Sequence, residues 1–187
     1  MTHRELTTAI LLVTLLLQGC VAPGSSIGNV WVRGEVMSEA RAPLPEQKVH
    51  MLLPATYGLG GLDLVLNQPG DFGQEDEWFV LRTDENGQFE QDLGTRVYHV
   101  SCWILPPVGC YPKAPPAPFV VLRIAAAPDQ VYAIQTGSGE YRIFTQSGEE
   151  ISLEQSRASE ITASSEIEQG TELRATRSTI RVRLKEE

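Results

Sequence analysis

The sequence predicts an all-β protein, folded as a sandwich or a barrel, on three observations. From Asn29 onward, short apolar runs alternate with polar residues at a period of two, the repeat of a half-buried strand. Clusters of Gly, Pro, Asn and Asp separate these runs at turn positions. Hydrophobic residues make up 42% of the 187 residues and charged residues 21%, a composition typical of one compact globular domain with a modest extension.

The first two strands are predicted in NVWVRGEVMS and KVHMLLP, separated by a turn in which Pro43 and Pro45 disfavour helix. The residues expected to face the core are Val30, Val32, Val36, Val49, Met51 and Leu53. Lys48, His50 and Leu52 should lie on the opposite face of the second strand. A long connection follows from Ala55 to about Glu75, where glycines and Pro69 make regular structure uncertain.

The middle of the chain predicts a strand, a tight turn and another strand in EWFVLRTDENGQFEQDL. Asn86-Gly87 favours positive φ and is a strong hairpin signal. In VYHVSCWIL, we expect Tyr98, Val100, Cys102 and Ile104 to point inward. The outward residues of the same run are His99, Ser101 and Trp103.

The last third of the chain begins with the proline-rich segment PPVGCYPKAPPAP, which predicts a stiff loop because proline lacks the donor that a central strand needs. Strands are predicted in FVVLRIA, VYAIQT and YRIFTQ, with Gly137 to Gly139 as a hairpin turn. The Ser- and Glu-rich stretch from Ser156 to Gly170 predicts a largely mobile segment. The final run, TIRVRLKEE, predicts a half-buried strand with a basic outer face.

Between Val30 and Val100 the chain resembles the carboxypeptidase-regulatory-like or transthyretin-like family of β-sandwich domains. The residues that carry this resemblance are Gly34, Val36, Pro43, Leu44, Val49 to Leu53, Thr83, Asp84, Gly87, Phe89, Leu93, Gly94 and Tyr98. The resemblance implies a Greek-key sandwich of the transthyretin-like or immunoglobulin-like kind, without catalytic residues of its own. We place this domain at residues 29–126, followed by a C-terminal β extension at residues 127–187.

The N-terminus has the layout of a secretory signal, because the apolar run Ala9 to Leu17 follows Arg4 and is too short to span a bilayer. Here the chain resembles bacterial lipoproteins, whose lipobox matches Leu17-Gln18-Gly19-Cys20. The resemblance implies that residues 1–19 are removed, that Cys20 is acylated, and that residues 20–28 form a flexible tether. In this family, Asp directly after the cysteine is the usual signal for retention in the inner membrane. Val21 occupies that position here, which indicates the outer membrane, with the protein facing the periplasm. The alternative is an ordinary secretory signal with an incidental cysteine.

Two further cysteines, Cys102 and Cys110, remain once Cys20 is lipidated. Export places them in an oxidising compartment, where a pair is expected to form a disulfide. The alternative is a thiol or metal site, for which the mature chain offers only His50 and His99 as additional ligands. Both histidines lie on outward positions, where neighbouring strands could bring them together to bind a metal or sense pH.

Several function classes are disfavoured by the sequence. A net charge of −9, from 15 Lys+Arg against 24 Asp+Glu, argues against nucleic acid as a partner. No G-x-S-x-G elbow, HExxH, P-loop or GxGxxG is present. We therefore expect no enzymatic activity, no catalytic residues, no cofactor and no metal.

The function predicted is that of a membrane-anchored envelope lipoprotein whose non-catalytic sandwich is a structural or protein-interaction module. Its partners would be membrane lipid, through acylated Cys20, and an envelope protein. The predicted binding surface consists of Trp103, Tyr111 and Phe119, around the disulfide loop, because rigid exposed aromatic side chains suit partner contacts. Glycan or peptidoglycan binding through residues 103–119 is the alternative, and an open edge strand could accept a partner's strand.

Overall fold

The computed structural model describes residues 21–53, 77–103, 109–111, 114–168 and 174–186, and none of these lies in a helix. The described strands are β1 Val21–Ser38, β2 Lys48–Leu53, β3 Glu77–Arg82, β4 Gln88–Trp103, β5 Gly109–Tyr111, β6 Phe119–Ile124, β7 Ala127–Gln135, β8 Glu140–Thr145, β9 Glu150–Ile151, β10 Ala158–Glu168 and β11 Arg174–Leu184. They form two sheets, one of five strands in the order β10-β11-β1-β4-β5 and one of six in the order β3-β2-β6-β7-β8-β9. The all-β prediction is confirmed, and the two sheets form a sandwich.

The main core lies between the two sheets and follows the predicted alternation. The core-facing residues of the first two strands, Val32, Val36, Val49 and Met51, are all fully buried. They pack in one cluster with residues of the last strand such as Ile180. Burial of such side chains contributes about 1.5–3 kcal/mol each, so this core is the main source of stability.

A second apolar cluster lies on the other face of the six-stranded sheet. Its members are Leu52, Phe119, Val121, Val131, Ala133 and Phe144, all buried. Leu52 points away from Met51 as predicted, but it is as inaccessible as Met51. The alternation expected of half-buried strands therefore does not hold for this sheet, whose central strands are apolar on both sides.

The C-terminal third is part of both sheets. Strands β7 and β8 extend the six-stranded sheet beside β6, whereas β11 pairs in parallel with β1 in the five-stranded sheet. In that parallel ladder Val32 lies opposite Ser178, and Val36 lies opposite Val182. The first and last described strands of the chain are thus direct neighbours.

The segment predicted to be mobile, Ser156 to Gly170, contains strand β10 instead. Its eleven residues pair antiparallel with β11, Ala163 opposite Ile180 and Ser165 opposite Ser178. Ile161 of this strand reaches the core. The polar composition suggested disorder, but the neighbouring strand β11 supplies the backbone partners that stabilise it.

The Asn86-Gly87 turn is present, but it does not close a hairpin between paired strands. Gly87 has φ +72°, and Asp84 Oδ1 accepts hydrogen bonds from the N–H groups of Asn86 at 2.9 Å and Gln88 at 2.8 Å. Strand β3 before the turn pairs with β2, whereas β4 after it pairs with β1. The turn therefore carries the chain from one sheet to the other. By contrast, the predicted hairpin at Gly137 to Gly139 joins the paired strands β7 and β8.

Several predictions fall outside the described residues. These are the signal at residues 1–19, Cys20 with its lipobox, the connection from Ala55 to Glu75, and the inward position of Ile104. In the ranges that the structure describes, there is no helix with the length and apolar character needed to cross a membrane.

Candidate functional site

The N-terminal half of β1 projects beyond its parallel neighbour. Gly28 is the first residue of β1 that pairs with β11, whereas pairing with β4 continues back to Val21, which lies opposite Trp103. On its other side, the end of β4 pairs with the short strand β5. We call this projection the disulfide ribbon, comprising residues 21–28, 96–103 and 109–111.

The ribbon replaces the flexible tether that was predicted for residues 20–28. A Cβ on Gly24 would lie 3.3 Å from Val100 Cγ2, and a Cβ on Gly28 would lie 2.6 Å from the Pro115 ring. The small residues of this segment therefore allow close packing and do not serve as a flexible spacer. As a result, ordered strand begins directly after Cys20.

The disulfide closes the tip of the ribbon. Cys102 and Cys110 lie opposite each other in the β4–β5 ladder, and their sulfur atoms are bonded at 2.04 Å. The predicted pairing is present in the structure. It joins two adjacent strands across eight residues, so it fixes β5 against β4.

The predicted aromatic surface is not assembled as expected. The Phe119 side chain is 2% exposed and belongs to the second apolar cluster, so its assignment to a binding surface is wrong. The run FVVLRIA is apolar at almost every position, so alternation could not show which residues face outward. Trp103 and Tyr111 are described at the level of the backbone, where they pair with Gly109 and Ser101.

The outward face of the ribbon instead exposes aliphatic residues. Ile27 is 50% exposed and Val97 is 72% exposed, and the two lie directly opposite each other in the β1–β4 ladder. Tyr98 and Val100, on the inward phase, are buried as predicted, and His99 and Ser101 are exposed as predicted. The ribbon contains no Asp, Glu or Lys, although the chain as a whole has 24 acidic residues.

The last strand of the same sheet carries a row of ion pairs, which begins beside the base of the ribbon. Arg181 Nε lies 3.0 Å from Glu35 Oε2, Arg177 Nε lies 2.6 Å from Glu168, and Arg183 pairs with Glu160. The predicted basic outer face of the last strand therefore exists, but acidic residues of β1 and β10 compensate it. The Arg177 guanidinium also lies over the Trp31 ring, 5.3 Å from its centroid.

Strand β10 forms the long edge of the five-stranded sheet. Among the described residues it pairs with β11 alone, so its other side presents backbone donors and acceptors. Thr162, Ser164 and Glu166 are exposed along it, and Ile167, at its end, is 55% exposed. No proline or lysine interrupts this edge. Such a strand can accept an extended segment from another chain.

The two candidate histidines are not neighbours. His50 lies on β2 opposite Val80 and Arg123, whereas His99 lies on β4 of the other sheet, opposite Ser25. Partial burial, with smaller contributions from Lys48 and Arg123, lowers the pKa of His50 below 6.5. The described residues include no group of three or more His, Cys, Asp or Glu side chains arranged to hold a metal ion.

The sandwich also contains hydroxyl groups that the sequence did not single out. Thr136 Oγ1, in the turn after β7, lies 3.0 Å from Ser178 Oγ, and Ser165 Oγ lies 2.7 Å from the same Ser178 oxygen. Thr136 and Ser178 are buried. Because hydroxyls of both sheets satisfy one another, this cluster fixes the relative position of the two sheets.

An open groove of about 550 Å³ lies between the start of β7 and the end of β8. It is lined by Asp129, Gln130, Thr145, Gln146 and Ser147. The lining residue Gln130 accepts at Oε1 a hydrogen bond of 3.1 Å from the Tyr132 hydroxyl, and burial raises the pKa of this tyrosine. Gln130 Oε1 also accepts the N–H of Arg157 at 2.8 Å. These contacts attach the segment before β10 to the six-stranded sheet.

No protein-family model and no curated protein sequence matches the chain. Matches among solved structures include 3-chlorocatechol 1,2-dioxygenase from Rhodococcus opacus, with 16% identity and a TM-score of 0.43, over 87% of this chain and 62% of that one. Catechol 1,2-dioxygenase from Acinetobacter radioresistens matches with 13% identity and a TM-score of 0.40, over 87% and 53% of the respective chains. The chain thus spans a little over half the length of these structures.

These matches contradict the expectation that the chain is not an enzyme, because the matched structures are those of enzymes. At this identity and TM-score the likeness concerns strand arrangement, and it identifies neither a substrate nor a reacting residue in this chain.

Proposed function

We propose that the protein is a lipid-anchored component of a bacterial cell envelope, whose β-sandwich binds an envelope protein along strand β10. The observation that carries the binding role is the open edge of β10, eleven residues long and free of proline and lysine. The lipobox Leu17 to Cys20 and the resemblance to bacterial lipoproteins support the anchor. Val21 after the cysteine favours the outer membrane and a periplasmic orientation.

The charge of β10 favours a partner strand of opposite sign. Glu160, Glu166 and Glu168 are the ionisable residues of this strand, and it contains no cation. A second copy of β10 placed antiparallel would bring acidic residues of both strands together, which is unfavourable. Glu160 and Glu168 already pair with Arg183 and Arg177 of β11, so a segment that carries Lys or Arg would place a cation beside Glu166 and gain main-chain hydrogen bonds.

The glycan-binding alternative finds no support among the described residues. Of the three aromatic residues on which it rests, Phe119 is buried. The exposed face beside the disulfide carries aliphatic Ile27 and Val97, which do not stack on sugars as aromatic rings do. We therefore propose protein binding ahead of glycan binding.

The anchor is tested by substituting Cys20→Ser and following the protein in cell fractions. We expect the variant to leave the membrane fraction and to unfold at the same temperature as a soluble form of the parent. The matched control is the double variant Cys102→Ser and Cys110→Ser, which should stay in the membrane fraction. Continued membrane association of Cys20→Ser would refute lipid anchoring.

The binding edge is tested by placing a photoactivatable amino acid at Thr162 or Ser164 in living cells. The control position is Ser147, exposed in the turn between β8 and β9. We expect one protein to crosslink from both β10 positions but not from Ser147, and Glu166→Lys to reduce its yield. Equal labelling from all three positions, or none, would rule out binding through β10.

A further inference from the structure

The position of the disulfide ribbon relative to Cys20 restricts how an anchored sandwich can be oriented. Val21 follows Cys20 directly and already pairs with Trp103, and Ala22 pairs with Cys102. The disulfide then fixes β5 to the same end of β4. With no spacer between the cysteine and the sheet, acyl chains on Cys20 would hold this ribbon at the membrane.

The outward face of the ribbon has the composition of a surface that contacts lipid headgroups. It pairs the exposed Ile27 and Val97, and no described residue of the ribbon is acidic. Farther along the same two strands, away from Cys20, the outward residues include Glu35, Glu90 and Asp92. Acidic groups are therefore confined to the part of β1 and β4 that is distant from the anchor.

This distribution fits the electrostatics of an envelope membrane. Anionic lipid repels carboxylates within about one Debye length, near 8–10 Å at physiological salt. Exposed aliphatic side chains gain by leaving water for the interfacial region, where Trp and Tyr are also enriched. Trp103 and Tyr111 both occupy register positions on the ribbon.

We propose that the outward face of the disulfide ribbon, around Ile27 and Val97, lies on the lipid surface that holds Cys20. This inference rests on the proposed acylation of Cys20. It gives the sandwich a fixed orientation, with the ribbon on the membrane and the edge strand β10 on the opposite margin of the same sheet. The open edge is then left accessible to a periplasmic partner.

The test uses the full chain, expressed with its own signal and purified with its native N-terminus. The protein is reconstituted in vesicles of phosphatidylethanolamine and phosphatidylglycerol that contain a photoactivatable phospholipid, and lipid adducts are mapped by mass spectrometry. We expect adducts at residues 21–27 and 97–101. The double variant Ile27→Glu and Val97→Glu should lower the yield of these adducts severalfold.

A matched control is Val80→Glu, since Val80 is 61% exposed but lies on β3 of the other sheet. It should leave the adduct pattern unchanged. Melting temperatures of all variants would show that each is folded. Adducts spread evenly over both sheets, or concentrated on β10, would overturn the inference, as would coupling of the ribbon to a second copy of the chain.

Failure of the anchor and failure of the inference give different results. The mass of the N-terminal peptide and flotation of the vesicles report whether Cys20 is acylated and the protein is membrane-bound. An unmodified Cys20 without flotation would refute the proposed anchor together with this inference. Acylation and flotation with unlabelled ribbon residues would refute the orientation alone.

Discussion

Gly87 shows how a single residue determines the route of the chain between the sheets. Its φ of +72° lies in the left-handed region, and a Cβ at this position would lie 2.5 Å from the Val36 carbonyl oxygen. The Gly87 carbonyl also accepts the N–H of Val36 at 2.8 Å. A left-handed backbone conformation alone costs a residue with a Cβ about 1–2 kcal/mol. Because of the additional close contact, we expect Gly87→Ala to lower the free energy of unfolding by more than this amount.

The matched variant is Gly94→Ala. Gly94 has nearly the same φ, +69°, but no atom lies within 4 Å of its Cβ position. Urea unfolding of both variants therefore separates the conformational cost from the steric one. Equal losses of stability would show that contact with Val36 contributes nothing.

His50 should make stability depend on pH. Partial burial first, and then Lys48 and Arg123, lower its pKa in the folded state below its ordinary value of 6.5. Between these two pKa values the unfolded chain binds more protons than the folded chain. We therefore expect the free energy of unfolding to fall as the pH drops below about 6.5, and this contribution to level off below the folded pKa.

The variant His50→Gln should remove that part of the slope, and Lys48→Gln should reduce it. Chemical denaturation of the parent and both variants at a series of pH values measures the effect. Superimposable stability profiles for the parent and His50→Gln would contradict the prediction.

At the scale of single elements, β10 gives a clear prediction for hydrogen exchange. In an edge strand, alternate amides face the neighbouring strand and the rest face the open side. We expect residues 158–168 to show alternating protection, slow where the amide donates to β11 and fast on the open edge. Uniformly fast exchange across this stretch would mean that the segment is mobile, as its composition suggested.

The disulfide between Cys102 and Cys110 stabilises the ribbon. In the chain-entropy model, closing a loop with this eight-residue separation stabilises the fold by about 2–3 kcal/mol. Reduction should therefore lower the unfolding midpoint of the parent. The double variant Cys102→Ser and Cys110→Ser should unfold at a lower midpoint than the oxidised parent, with or without reductant. A parent whose unfolding midpoint does not change on complete reduction would contradict this expectation.

The sequence predicted most strands correctly because alternation is a local property. Val30, Val32 and Val36 indicate a buried face without reference to any other strand. Prediction from the sequence failed where contacts with another strand determine whether a segment is ordered. The glycines of the ribbon suggested a tether because their packing partners, Val100 and Pro115, are distant in sequence, and β10 suggested disorder because its stability depends on β11.

The candidate site was less predictable for the same reason. A disulfide between Cys102 and Cys110 followed from the expected compartment. Phe119 was misplaced because its strand is apolar on both faces, so period-two reasoning does not distinguish inside from outside. Ile27 and Val97 become a pair only through the register of β1 against β4, which no local pattern contains.

At the scale of the whole molecule, the parallel pairing of β1 with β11 makes the fold depend on its last strand. Among the described strands, β10 pairs with β11 alone, so without β11 it loses that neighbour and β1 loses its parallel partner. Sheet formation in this half of the sandwich therefore requires contacts between the two ends of the described chain, which form late when the protein is synthesised from its N-terminus.

A chain shortened to end at residue 173 should for that reason fail to fold. It loses Ile180, Val182 and Leu184, all at most 3% exposed, and burial of such side chains contributes about 1.5–3 kcal/mol each. Their sum approaches the whole stability of a typical domain, about 5–15 kcal/mol. Far-ultraviolet circular dichroism and thermal unfolding would measure the effect.

The matched control ends at Lys185 and should unfold like the parent, because it keeps the Lys185 contacts to the carbonyl groups of Glu154 and Ser156. Cooperative unfolding of the shorter chain would show that the first ten strands form a stable sandwich without β11.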